Sequence, residues 1–163
     1  MKTPNEIRSF RGDYWFLSNF YPCTILFDGF EFKSVEAAFQ AAKCADLDQR
    51  AMFQPIGQPA MAKKLGRTVT LRSDWETVKL SILTELVRLK FVSSPELMGA
   101  LLATGDAMLV EDNTWHDNFY GNCTCGRCRD TVGLNHLGRT LMQFRDQLLQ
   151  NISCFNKGLY SVE

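Results

Sequence analysis

Apolar positions change their spacing along this chain, and each change of period predicts an element. Two short apolar runs, Cys23 to Phe27 and Phe30 to Phe32, flank Asp28-Gly29, a dipeptide suited to the type I′ turn of a hairpin. The N-terminal stretch to residue 34 therefore reads as extended, with strands near 23–27 and 30–33. Ser34 then caps a helix whose apolar positions Val35, Ala38, Phe39 and Ala42 follow the i, i+3, i+4, i+7 spacing, ending near Asp46.

A short helix starts at Pro59, where proline is tolerated, and stops near Gly66. The next is the best marked: Ser73-Asp74-Trp75-Glu76 has capping-box spacing, and Trp75, Val78, Ile82, Leu86 and Leu89 form one stripe through Phe91. Ser94-Pro95-Glu96 opens a further helix through Leu102, closed by Gly105. Residues 107–111 read as a strand ending at Glu111, and residues 112–134, rich in Asn, Gly and Cys, show no period and read as a long functional loop. Asn135 is placed to cap a last helix with the core stripe Leu137, Leu141, Phe144 and Leu148, before a tail. These elements predict an α+β fold, mostly helical, with a small antiparallel β element near the N-terminus. No strand leads through a glycine-rich turn into a helix in βαβ order, so a doubly wound nucleotide-binding fold is disfavoured.

With 163 residues, 45% of them hydrophobic, the chain suits one domain with a proper core. Eighteen basic residues balance eighteen acidic ones, which argues against broad attraction to nucleic acid and leaves room for a local basic pocket. The N-terminus lacks the apolar stretch of a secretory signal and no run spans a membrane, so a cytoplasmic protein with no membrane partner is expected. In that setting the six cysteines are reduced thiols or metal ligands.

Several polar constellations interrupt this pattern. Glu36, Gln40 and Lys43 lie at i, i+4, i+7, one polar line beside the apolar stripe of their helix; the alternative is a solvated face with a weak ion pair. Ser18 and Asn19 stand between Leu17 and Phe20, groups able to hold a base or sugar, or else to shape a turn. Asn135, Gly138 and Arg139 at a helix start offer N–H groups, a close approach and a guanidinium, as phosphate binding requires; the alternative is an ordinary cap with a surface arginine. Cys123, Cys125 and Cys128 bring three thiols into six residues, enough for structural zinc once His116 or His136 supplies a fourth ligand. No other cofactor is called for.

In order along the chain stand Phe10-x-Gly12, Leu17-Ser18-Asn19-Phe20, Asp28-Gly29, Ser34-Val35-Glu36-Ala37-Ala38-Phe39-Gln40-Ala41-x-Lys43, Lys64-Leu65-Gly66-Arg67 and Asp74-Trp75-Glu76-x-Val78-Lys79. Lys90-Phe91, Ala103-Thr104-Gly105-Asp106, Leu109-Val110-Glu111-x-Asn113, Trp115-x-Asp117 and Asn135-x-Leu137-Gly138-Arg139-x-Leu141-Met142-x-x-Arg145 follow. This ordered set resembles the YbiA-like, or NADAR, family, and implies a domain over 10–149, an N-terminal segment 1–9 and a C-terminal tail 150–163. The resemblance implies an N-glycosidase cleaving a ribose C1–N bond on a small phosphoribosyl or ADP-ribosyl substrate. Phosphorylated riboflavin-pathway intermediates are the first expectation. ADP-ribose on guanine in DNA, or noncatalytic sensing of ADP-ribose or NAD, are the alternatives. By motif position it implies Glu36, Lys43 and Asp117 as catalytic, and Gly12, Ser18, Asn19, Trp75, Lys79, Glu111, Trp115, Asn135, Gly138 and Arg139 as substrate-binding. Many members read Trp-Gly-Asp where this chain has Trp115-His116-Asp117, a departure at the entrance of the cysteine loop.

Overall fold

In the computed structural model, residues 4–159 are described, and they group into two compact units: residues 11–97, and residues up to 10 together with those from 98 on. The chain builds the mostly helical α+β architecture expected of it, with β-structure confined to two-stranded pairs among the described residues. None of the described helices is long and apolar enough to cross a membrane.

In the unit of residues 11–97, a 3-10 helix at Gly12–Leu17 replaces part of the expected extended stretch, entered through Gly12 at φ 54°. The hairpin forms as predicted: β2 (Pro22–Phe27) pairs antiparallel with β3 (Phe30–Ser34), and Asp28 and Gly29 both take the positive φ of a type I′ turn, 50° and 80°. The Ser34 hydroxyl accepts the Ala37 N–H at 3.1 Å and starts α1 (Val35–Ala42). That helix stops short of Asp46 because an extended partner captures its exit: Arg72 N–H donates to Lys43 C=O, Ala45 N–H donates to Thr70 C=O, and Cys44 bridges Leu71. Asp46 instead caps α2 (Leu47–Ala51), accepting the Asp48 N–H at 2.8 Å, an element that its five-residue length hid from any periodicity.

Proline starts α3 (Pro59–Leu65) as expected. The capping box before α4 (Trp75–Val92) does not form: the N-cap is Asp74, and Arg72 takes its carboxylate with two N–H groups at 2.6 and 3.0 Å. All eight residues of α1 are buried, packed among β2, β3, α2, α3 and α4. Phe39 of α1 meets Trp75 of α4 edge to face with ring centroids 5.1 Å apart, and burying each of these rings contributes about 2–3 kcal/mol. Lys90 of α4 is also buried, its ammonium donating to Ser18 C=O at 2.8 Å beside the rings of Tyr21 and Phe91.

The division between units falls inside α5 (Pro95–Ala103). In the other unit, β1 (Glu6–Arg8) pairs in parallel with β4 (Met108–Val110), so the expected N-terminal segment holds a strand whose partner lies far along the sequence. The expected loop 112–134 contains a second parallel pair, β5 (Asp112–Asn113) with β6 (Asn122–Cys123). Both are too short to show a period. Leu137, Leu141 and Phe144 bury the inner face of α6 (His136–Leu159), which continues where a tail was expected from residue 150; residues 160–163 lie outside the described residues. Arg145, also buried on α6, donates to the Thr104 hydroxyl at 2.8 Å and to Ala107 C=O at 2.9 Å, holding the entry to β4.

Candidate active site

Helix α1 turns a spacing into a site. Glu36 and Gln40 are only 7% and 5% exposed, which rejects the solvated-face alternative, and the Gln40 amide donates to Glu36 Oε1 at 2.8 Å. Lys43, at the C-cap, is half-buried. Burial pushes its pKa below 10.5; the Glu36 carboxylate opposes that shift, while the charges of Lys63 and Arg67 reinforce it. Lys43 thus feels one buried carboxylate and two further cations. Lys63, in the last turn of α3, lies 5.9 Å from the Phe20 ring centroid. Gly66 makes the arrangement fit, since a Cβ there would come within 1.9 Å of Gln40 Oε1. Lys63 escaped the sequence reading because bases in a last helical turn ordinarily answer the helix dipole at the surface.

The other candidates of this unit serve its framework. Asn19 C=O accepts the Glu36 N–H at 3.0 Å, fixing the first turn of α1, and the Ser18 hydroxyl accepts the Phe20 N–H at 3.1 Å in a turn. Gly12 is exposed, its glycine required by positive φ. Trp75 is core, presenting no free face for stacking. Lys79, one turn on in α4, pairs with Glu76.

In the other unit the structure draws most of the candidates into loop construction. Asp117 Oδ1 accepts the N–H groups of Phe119 and Tyr120 at 3.1 and 2.8 Å, so this carboxylate braces a turn. Asn135, at φ 51°, does not cap α6 with its side chain; its amide clamps β4, accepting the Glu111 N–H at 3.0 Å and donating to Leu109 C=O at 2.8 Å. The first N–H groups of α6 are engaged as well, His136 with Phe119 C=O and Leu137 with Tyr120 C=O, which removes them from the expected phosphate site. Gly138 serves packing: a Cβ there would lie 2.1 Å from Leu109 O. Glu111 anchors its strand end through its C=O, which accepts the Asn122 N–H at 2.8 Å. Arg139 and Trp115 are exposed, Trp115 at 52%.

Sequence reading gave no role to Asn113, present in its motif, and did not single out Asn118. Asn113 Oδ1 accepts the N–H groups of Trp115 and Asp117, both at 3.2 Å, and Asn118 Oδ1 accepts that of Cys123 at 2.7 Å. The residues able to hold a metal are His116, Cys123, Cys125 and Cys128, whose ligand atoms all lie within 4.8 Å of one another. His136 is not among them and instead packs on the Phe119 ring, centroids 4.6 Å apart.

An N-glycosidase from Nostoc punctiforme is 38% identical over 145 residues, 86% of this chain and 89% of that protein. The N-glycosidase YbiA of Escherichia coli is 37% identical over 138 residues, 83% of this chain and 82% of that one. The solved NMR structure of E. coli YbiA superposes with a TM-score of 0.77 at 34% identity, covering 93% of this chain and 89% of that one. The riboflavin biosynthesis protein PYRR of Zea mays is 34% identical over 152 residues, 83% of this chain and 23% of that longer protein. With the NADAR domain matched over residues 8–149, the chain belongs to the NADAR family.

Proposed function

We infer that this chain is an N-glycosidase that hydrolyses the C1–N bond between a ribose and its nitrogen base, on a phosphorylated intermediate of the riboflavin pathway. One observation carries the reading: a buried Glu36, oriented by Gln40, on the same helix as a half-buried Lys43 whose amine it acts on electrostatically. As the C1–N bond breaks, its electron pair leaves with the base nitrogen and positive charge grows on the sugar, which a buried carboxylate stabilises far better than one in water. Water then attacks C1 and gives its proton to Glu36, from which it passes to the base nitrogen, so the carboxylate is regenerated and the products are free base and ribose phosphate.

The lowered pKa of Lys43 adds a second role, since a larger share of its amine is neutral than in free lysine and can attack a ring-opened C1 aldehyde. The charges of Lys63 and Arg67 reach Lys43, a local gathering of cations suited to a substrate phosphate. The substrate assignment draws on the names of relatives, N-glycosidase in bacteria and a riboflavin biosynthesis protein in maize.

The test is base release, followed by mass spectrometry, from a riboflavin-pathway phosphoribosylamine and from ADP-ribosylated guanine in DNA. Wild type should release base from the first, and Glu36→Gln and Lys43→Ala should each lose most of that turnover. Turnover of the DNA alone would transfer the same chemistry to ADP-ribose. Tight binding of ADP-ribose with no turnover of either would overturn the enzymatic reading.

A further inference from the structure

Outside the Glu36 site, the densest group of ligating side chains is that of His116, Cys123, Cys125 and Cys128 in the 112–134 stretch, and we propose that it binds one structural Zn²⁺ in a closed Cys₃His site. The geometry is nearly that of the occupied site. A tetrahedron with the usual Zn–S and Zn–N bonds has S···N edges of about 3.6 Å and S···S edges of about 3.8 Å. His116 Nδ1 lies 3.2 Å from Cys125 Sγ and 3.4 Å from Cys128 Sγ, and all four ligand atoms fall within 4.8 Å of one another. Around the ion the two S···N separations would lengthen by a few tenths of an ångström, and separations as long as 4.8 Å would shorten by about 1 Å.

Three further features fit a metal and not ordinary packing. First, a sulfur accepts a backbone N–H group as metal-bound thiolates do: His116 N–H points at Cys123 Sγ at 3.3 Å. Second, His116 has φ 67°, a left-handed conformation unfavourable for a non-glycine residue, and its imidazole lies among the three sulfurs. Third, His116 is exposed and Cys125 and Cys128 are half-exposed, so these two thiols are not filling an apolar core, and only Cys123 of the three is buried.

Four protein ligands leave no open position, which assigns the ion a structural role. It ties β6, through Cys123, to the turn at Cys125 and Cys128, and fixes the residue between Trp115 and Asp117. Binding through Nδ1 puts the ring proton on Nε2, the atom now facing a donor N–H of Arg127, so the exposed Arg127 side chain must turn to solvent when metal enters.

The proposal is independent of substrate, and so is its test. Full-length chain purified under reducing conditions without chelator should carry close to one zinc by plasma mass spectrometry. Metal-depleted chain titrated with Co²⁺ should develop thiolate-to-cobalt charge transfer and the intense visible bands of four-coordinate cobalt, bleached by one equivalent of Zn²⁺. Cys125→Ser and His116→Ala should each weaken zinc binding by more than the ~10–100-fold that loss of an outer-shell partner costs. Cys154→Ser, at an exposed cysteine away from the cluster, should bind as wild type. Wild type that neither carries zinc nor gives the cobalt spectrum would overturn the proposal. So would unchanged zinc affinity in both ligand variants, or a disulfide among the three thiols in the purified chain.

Discussion

Helix α1 and the 112–134 stretch both gather polar side chains, and they do so by opposite means. In α1, Glu36 and Gln40 have side chains long enough to reach one another across one helical turn, and the surrounding helices shut out water. In the 112–134 stretch, Asn113, Asp117, Asn118 and Asn122 have side chains one methylene shorter, and each Oδ1 accepts a backbone N–H instead. The helix satisfies its own backbone and leaves its carboxylate available for chemistry; the irregular stretch has no ladder of its own, so its carboxylate is taken up in holding the chain. The difference teaches that two acidic residues at family motif positions, Glu36 and Asp117, need not share a task.

The sharpest break of that comparison uses the isosteric amides. Glu36→Gln removes the charge and keeps a side chain able to bond Gln40, so the fold should persist while turnover falls by roughly 10²–10⁴-fold. Asp117→Asn keeps an Oδ1 acceptor for Phe119 and Tyr120, so turnover should stay near wild type. Asp117→Ala, which frees both N–H groups, should cost about 1–3 kcal/mol in urea unfolding. An Asp117→Asn variant as inactive as Glu36→Gln would show that both stretches carry reactive carboxylates.

Two glycines sharpen the comparison at intermediate magnitude. In Gly138→Ala the new methyl would meet the Leu109 carbonyl oxygen at 2.1 Å, and backbone in a paired strand cannot retreat, so stability should fall by about 3 kcal/mol, read from the urea midpoint. In Gly66→Ala the closest obstacle is the far end of Gln40, which can swing away from Glu36, leaving a tight 3.0 Å approach to the Gln40 Cβ. Stability should change less there, and the loss should appear in turnover. Equal losses of stability at both positions would mean that Gln40 is held as rigidly as a strand.

How far each region was legible follows from the same physics. The hairpin turn at Asp28-Gly29, the Ser34 cap and the α3 start at Pro59 are local rules, and each is met where the sequence placed it. The end of α1 was misplaced because residues 70–72 decide it, and the box at Ser73-Glu76 failed because Arg72 competes for Asp74. Parallel pairing of β1 with β4 joins segments that carry no mark of one another. For the site, spacing put Glu36, Gln40 and Lys43 on one line, but whether that line faced water depended on packing. The nearby Lys63 and Arg67 come from α3 and the turn after it, which no spacing within α1 can reveal.

The smallest expected effect is a displacement and not a loss, and it tests whether the α1 groups act on one another as their geometry requires. Burial depresses the Lys43 pKa, and Lys63 and Arg67 depress it further, while Glu36 raises it. Below that lowered pKa the ammonium has no lone pair. If Lys43 attacks the sugar aldehyde, kcat should therefore rise with pH along a limb centred below 10.5, and Lys43→Arg, which does not deprotonate in this range, should erase it. If Lys43 instead holds phosphate as a cation, KM should climb over the same pH range while kcat stays level. Amine acetylation of Lys43 as a function of pH, read by mass spectrometry, follows the titration without turnover. In Glu36→Gln the opposing carboxylate charge is gone, so the acetylation midpoint should move to lower pH than in wild type; an unmoved midpoint would mean that Glu36 and Lys43 share a helix face without sharing a field.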